Sequence, residues 1–340
     1  MVILGDILKR SKNNFDLIRL IAALMVVFGH SFVLFKNNGS YDPIQNIFHE
    51  SSGTLAVYIF FFLSGIFISA SFLNKKDHIS FVRMRFFRIW PGLIICTIFT
   101  VLVIGILFTD LTFKQFFFNT DTWTYLISNI SFYNSTSHRL PGLFVNNPYG
   151  SAVNGSLWTL PFEVKCYCLV FLFGVTGLLN KRIPMALFFL VLVYLLIFHS
   201  SYIDFFGGKL LLFFVAGMVA YLFNDILILD YRIALPAILI CAFIYRTDFF
   251  TLGFYITLIY STIVLSASRI FRKIKLPGDY SYGIYIYGFL IQQTLIHLFP
   301  DLSPYPGFFI SLPIVFILSA LSWHLIEKPA INYAKSPQVS

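Results

Sequence analysis

Apolar residues run along this chain in long blocks, and polar residues gather between the blocks instead of alternating with apolar ones. Blocks near the ~20 residues that cross a hydrocarbon core predict transmembrane helices. The blocks are Leu17 to Phe35, Leu55 to Leu73, Pro91 to Phe108, Leu157 to Leu178, Pro184 to His199, Leu210 to Phe223, Ile233 to Tyr245, Leu252 to Ala267, Tyr282 to Phe299 and Phe308 to Ile326. They predict an all-α, polytopic membrane helix bundle of about ten transmembrane helices. No repeat and no low-complexity tract interrupts the pattern.

Composition agrees: 58% of 340 residues are hydrophobic and 11% are charged, which excludes an ordinary soluble globular protein. Basic residues then orient the chain, because short cytoplasmic loops retain Lys and Arg. With the N-terminus inside, 17 basic residues are cytoplasmic and five (Lys36, Lys114, Arg139, Lys209 and Arg246) are outside, while Arg19 and Lys165 fall within spans. Both termini are therefore expected in the cytoplasm. The net charge of +9 is a topology signal, with membrane lipids and no nucleic acid as the partner it implies. The first span is too long for a signal-peptide core and is expected to stay as an anchor. Cys96, Cys166, Cys168 and Cys241 lie in spans without zinc spacing, so they are expected to pack and no metal is expected.

Residues 1–340 are expected to form one membrane domain, with 109–156 as an extracytoplasmic loop inside it. That loop is rich in Asn, Ser, Tyr and Phe. Its rings and amides suit a sugar acceptor, and they equally suit an interfacial aromatic belt.

Chemistry is sought where polar groups enter the apolar blocks, since an intramembrane charge is functional by default. Arg19 and His30 lie eleven residues apart in the first span. On a helix they share one face, ~16 Å apart along the axis. Counted from the span ends, His30 lies ~8 Å and Glu163 ~9 Å below the outer surface. A carboxylate at that depth can orient an imidazole that acts as a general base. A structural helix-to-helix hydrogen bond is the alternative. Arg85 and Arg88, three residues apart, can clamp a phosphate, or can simply retain positive charge on the cytoplasmic side. Ser64 and Gly65 read mainly as close-packing residues. Lys165 has no assigned role. Tyr282, Tyr285 and Glu327 fall at inner-surface depth, where polar residues are tolerated.

In order and position, the Arg19–His30 pair, Phe60-Phe-Phe-Leu-Ser64-Gly65, Arg85-x-x-Arg88-Ile-Trp-Pro91, Leu157-Trp158-Thr-Leu-Pro-Phe-Glu163 with Tyr167, Ser281-Tyr282-x-x-Tyr285 and Glu327-Lys-Pro329 resemble the acyltransferase family 3 of integral membrane O-acyltransferases. The resemblance covers nearly the whole chain. It implies a cytoplasmic acyl-coenzyme A donor, commonly acetyl-CoA and a substrate rather than a bound cofactor. It also implies an extracytoplasmic acceptor hydroxyl on a glycan or lipid-linked saccharide such as O-antigen or exopolysaccharide, and a multi-pass protein of the bacterial inner membrane. Arg19, Arg85 and Arg88 would hold the donor, with His30 and Glu163 catalytic. Three positions depart from the family pattern: Gly288 where many members carry histidine, Ala56 for glycine, and Val164 for a second acid. A transporter or flippase of an acyl donor or lipid-linked glycan is the rival reading, and it should show inverted repeats, which are not found.

Overall fold

The computed structural model describes residues 2–9, 12–35, 41–74, 77–133, 136–150, 152–199 and 207–336. Arg10, Lys36, Lys75 and Lys76, used above to orient the chain, lie outside them. Each of the ten apolar blocks falls on a helix. These are α1 (Phe15–Leu34), α2 (Ser52–Leu73), α3 (His78–Phe99, continued to Phe108), α4 (Leu160–Val175, led by a 3-10 turn at Gly155–Thr159) and α5 (Arg182–Phe198). Then follow α6 (Gly208–Leu222), α7 (Tyr231–Phe243), α8 (Phe250–Ala267), α9 (Ser281–Leu298) and α10 (Pro304–Ser322, continued to Lys335).

Length and apolar character suffice for membrane crossing in six of them: α1, α2, α3, α4 with its leading turn, α8 and α10. Helices α5, α6 and α7 are apolar but only 17, 15 and 13 residues long. In α9, Gln292, Gln293 and Thr294 interrupt the apolar run. Helix α3 begins well before Pro91, because the Asp77 carboxylate accepts from the Ile79 and Ser80 amides and starts the helix in the basic stretch. Pro91 is accommodated inside it. Extended pairing among the described residues is limited to a two-residue antiparallel pair, Val2–Ile3 with Ile228–Leu229, and a single bridge between Thr109 and Leu143.

Two compact units divide the described chain. The first comprises Met1–Ala22, Ile44–Lys76 and Cys166–Pro277. Its main seam joins α2 to α6. A Cβ at Gly65 would fall 2.0 Å from the Phe214 carbonyl oxygen, and one at Gly217 would fall 2.0 Å from that of Phe62. Two backbones meet there with no side chain between them, the packing role expected of Gly65. Near the start of α2, Glu50 accepts hydrogen bonds from Tyr255 (2.8 Å) and Tyr58 (3.2 Å) and pairs with Lys209 at 3.2 Å.

The second unit comprises Ala23–Pro43, Asp77–Lys165 and Gly278–Ser340. Helix α9 is its axis, buried continuously from Gly283 to Ile296. The segment 109–156 is no bare loop. It carries helices at Phe113–Phe117 and Thr120–Ser131, and its Phe116, Tyr125, Leu140, Phe144 and Val153 form one buried core with Val101, Ile104 and Leu290. Three of its rings are thus spent on the core, while Phe113, Phe118, Tyr133 and Tyr149 stay exposed.

Candidate functional site

Helix α9 serves as a ruler for the second unit, since polar side chains meet it at three levels. At the Ser281 end, Arg88 on α3 donates to Asp279 at 2.7 Å, and Ser281 donates to the other Asp279 oxygen at 2.6 Å. A charge-assisted contact of this partly buried kind contributes about 1.5–3 kcal/mol. The Arg88 guanidinium also lies 5.9 Å from the Tyr282 ring centre, and the Tyr282 hydroxyl donates to the Ile89 carbonyl at 2.8 Å. Gly92 makes room for this ring, because a Cβ there would stand 2.8 Å from it. The stretch from Arg85 to Gly92 therefore works as one unit, with a guanidinium anchored by an acid and a tyrosine seated in a glycine notch. Arg85, one turn earlier and half-buried, has its guanidinium 5.8 Å from the Phe81 ring centre.

Glu327 belongs to this level too. A π-helical turn at Trp323–Glu327 leads into it, and it is 1% exposed, in contrast to the tolerant surface position expected. Its Oε1 accepts from Ser322 at 2.7 Å, while Oε2 is buried with no hydrogen-bond partner among the described residues. A buried orphan oxygen is unfavourable, and such π turns recur at functional sites.

His30 occupies the middle level. Its ring meets Phe289 edge-on with centres 5.0 Å apart, and its Nδ1 is buried without a hydrogen-bond partner among the described residues. The Gln292 amide donates to the Val27 carbonyl (3.0 Å) and to the Ser31 hydroxyl (2.8 Å). At the third level, toward Leu298, Gln293 donates to the Tyr149 and Ala152 carbonyls and accepts from Asn147.

This ruler separates His30 from Glu163, which the sequence reading placed together. Asn154 donates to the Ile286 carbonyl, and the Thr159 and Tyr285 hydroxyls are 2.5 Å apart, so α4 runs antiparallel to α9. Glu163 comes a further turn on, toward the Ser281 end, within electrostatic reach of Tyr282 and Tyr285. His30 lies beside Phe289, on the order of 10 Å away along the axis. Ala152, Val153 and Asn154 are already buried in the unit, so the chain packs into the protein before Leu157. Lys165 is exposed, its ammonium over the Phe162 ring at 4.8 Å. Of the cysteines, Cys96, Cys166 and Cys241 are buried and Cys168 is exposed.

Arg19 belongs to the first unit, half-buried with its guanidinium 5.0 Å from the Phe67 ring centre. Arg19 and His30 both fall on α1, the helix expected to carry them. Gly288 also acquires a reason: a Cβ there would fall 2.6 Å from a Val27 methyl, so a histidine would have to displace that side chain. Among the described residues no group of three or more His, Cys, Asp or Glu could hold a metal ion.

Among the described residues the second unit thus buries an imidazole nitrogen without a hydrogen-bond partner at one level and anchors an arginine on an acid at another, groups suited to proton and anion chemistry. The acyltransferase domain family matches residues 12–324, and the chain belongs to that family, acyltransferase 3. An O-acetyl transferase of Shigella phage Sf6 is 32% identical over 348 residues, covering 96% of this chain and 98% of the relative. Nodulation protein 10 of Rhizobium leguminosarum bv. viciae is 26% identical over 369 residues, covering 96% and 95%. No solved structure matches the chain.

Proposed function

We propose that this acyltransferase moves an acetyl group from cytoplasmic acetyl-CoA to a hydroxyl of an extracytoplasmic glycan, from the inner membrane and with both termini in the cytoplasm. The observation that carries the reading is α1, one unbroken 20-residue apolar helix with Arg19 near its start and His30 eleven residues on. The ~16 Å between them is about the reach of an extended pantetheine arm, so one helix can span donor head and reacting thioester. The O-acetyl transferase of phage Sf6 and the excess of basic residues on the N-terminal side add support.

In this mechanism Arg19, Arg85 and Arg88 hold the anionic donor head, with Arg88 kept in place by Asp279. His30 takes the proton from the acceptor hydroxyl as that oxygen attacks the thioester carbonyl. The new C–O bond forms, the C–S bond breaks, and the sulfur leaves with a proton as the free thiol. Glu163 acts at the donor end through the Tyr285–Thr159 contact rather than on His30. Membranes carrying the protein, supplied with labelled acetyl-CoA and surface polysaccharide, test this. His30→Ala should lose ~10²- to 10⁴-fold in rate at unchanged protein level, the usual contribution of a general base. Retained activity would overturn the assignment. NMR of surface polysaccharide with and without the protein identifies the esterified hydroxyl.

A further inference from the structure

We infer that Gln292 is a positioning residue for His30, holding the α1 turn that carries the imidazole at one height and rotation against α9. This rests on the reading of His30 as the base. Gln292 is fully buried, next to the equally buried Gln293, where leucine would fill similar space without a polar group to satisfy. Its contacts account for the amide nitrogen, while the amide oxygen is buried without a hydrogen-bond partner among the described residues. Val27 and Ser31, which receive its hydrogen bonds, bracket His30 within a single helical turn. The Ser31 hydroxyl itself donates to the Val27 carbonyl at 3.0 Å, so toward Gln292 it can only accept. Val27 offers only a carbonyl oxygen. Both acceptors demand hydrogen from the same nitrogen, which fixes the amide orientation with Nε2 toward the turn. Ser311 on α10, whose hydroxyl donates to Phe308, presents a third acceptor at 3.4 Å. One helical turn before Gln292 on the same face of α9, Phe289 sets its edge against the imidazole. Backbone and ring of the His30 turn are therefore gripped by one face of α9.

The experiment compares Gln292→Leu, Ser31→Ala and His30→Ala with wild type in membranes, using acetyl-CoA as donor. Gln292→Leu keeps the volume and removes the donor. It should lower kcat ~10- to 100-fold, as a displaced base does, leave KM for acetyl-CoA unchanged, and shift the acid limb of the pH–rate profile. Ser31→Ala removes one acceptor and should move the same quantities in the same direction by less. Should Gln292→Leu fail to accumulate, Ser31→Ala carries the test. Wild-type kcat and pH profile in the variants, with His30→Ala inactive, would overturn the positioning role and leave the base intact. Lower activity with an unmoved pH profile would also overturn it, as a loss of folded enzyme only. An active His30→Ala would instead overturn the reading of His30 as base.

Discussion

The α2–α6 seam of the first unit and the surroundings of α9 in the second both bring helices close, by opposite means. At Gly65 and Gly217 side chains are removed and backbones touch. Around α9, by contrast, Ser281, Gln292 and Gln293 are at most 2% exposed and form hydrogen bonds to neighbouring segments. The first arrangement gives cohesion through backbone contact at the glycines, with only small hydroxyl residues such as Ser52 and Ser69 buried on α2, and its acid–base pair, Glu50 with Lys209, sits at helix starts. The second accepts the cost of buried polar groups, and the candidate acid–base residues lie there. Cohesion and chemistry are therefore separable by mutation.

The largest effect is expected from Gly65→Leu. A side chain driven into a backbone carbonyl must part α2 from α6, costing about 3 kcal/mol or more. The purified protein should melt at a much lower temperature, or vanish from membranes, with donor binding and transfer lost together. If transfer alone failed, the seam would be part of the chemistry after all. Next comes Asp279→Asn, which removes the carboxylate to which Arg88 donates. KM for acetyl-CoA should rise ~10-fold, the equivalent of about 1.4 kcal/mol, while the melting temperature changes little. An unchanged KM would separate Arg88 from the donor.

A smaller effect is expected at His138, in the segment packed on the second unit. Partial burial holds this surface-reaching imidazole below its ordinary value of 6.5. The packed state therefore resists protonation, and an opened segment takes up the proton once pH falls below about 6.5. Its contribution to stability is full above that pH and is lost below it. Amide exchange across residues 136–155 should speed up in acid, and His138→Gln should remove the pH dependence. The smallest effect is expected at the first unit's surface. Arg182 holds the Asp225 carboxyl below the usual carboxylate range, yet both side chains are about half exposed. Asp225→Asn should leave melting temperature and activity within error, as such exposed pairs do.

The ten helices were legible because each apolar block exceeds anything a loop tolerates. Gly65 was legible because a small residue in such a block has few other uses. Relative depth was not. Counting from Leu157 assumed that the span starts where the apolar block starts, but Asn154 is already bonded to α9 and a 3-10 turn follows, rising faster per residue than an α-helix. Asp279 was missed because a lone acid after Pro277-Gly278 reads as a turn residue, although an acid just before a helix is itself a signal. Glu327 was seen as a motif but placed at the surface, since an α-helical count does not anticipate a π turn before it. Gln292 gave no signal beyond its polarity.

The core formed by Phe116, Tyr125, Phe144 and their neighbours has a consequence for biosynthesis. Its other members are made between residues 101 and 153, yet Leu290, which joins them, is made near the end. Ribosomal order therefore obliges residues 101–153 to wait, with rings uncovered, until α9 arrives. Chains stopped before α9 should be captured by quality-control proteases, and slow insertion of that one helix would limit the yield of the whole protein.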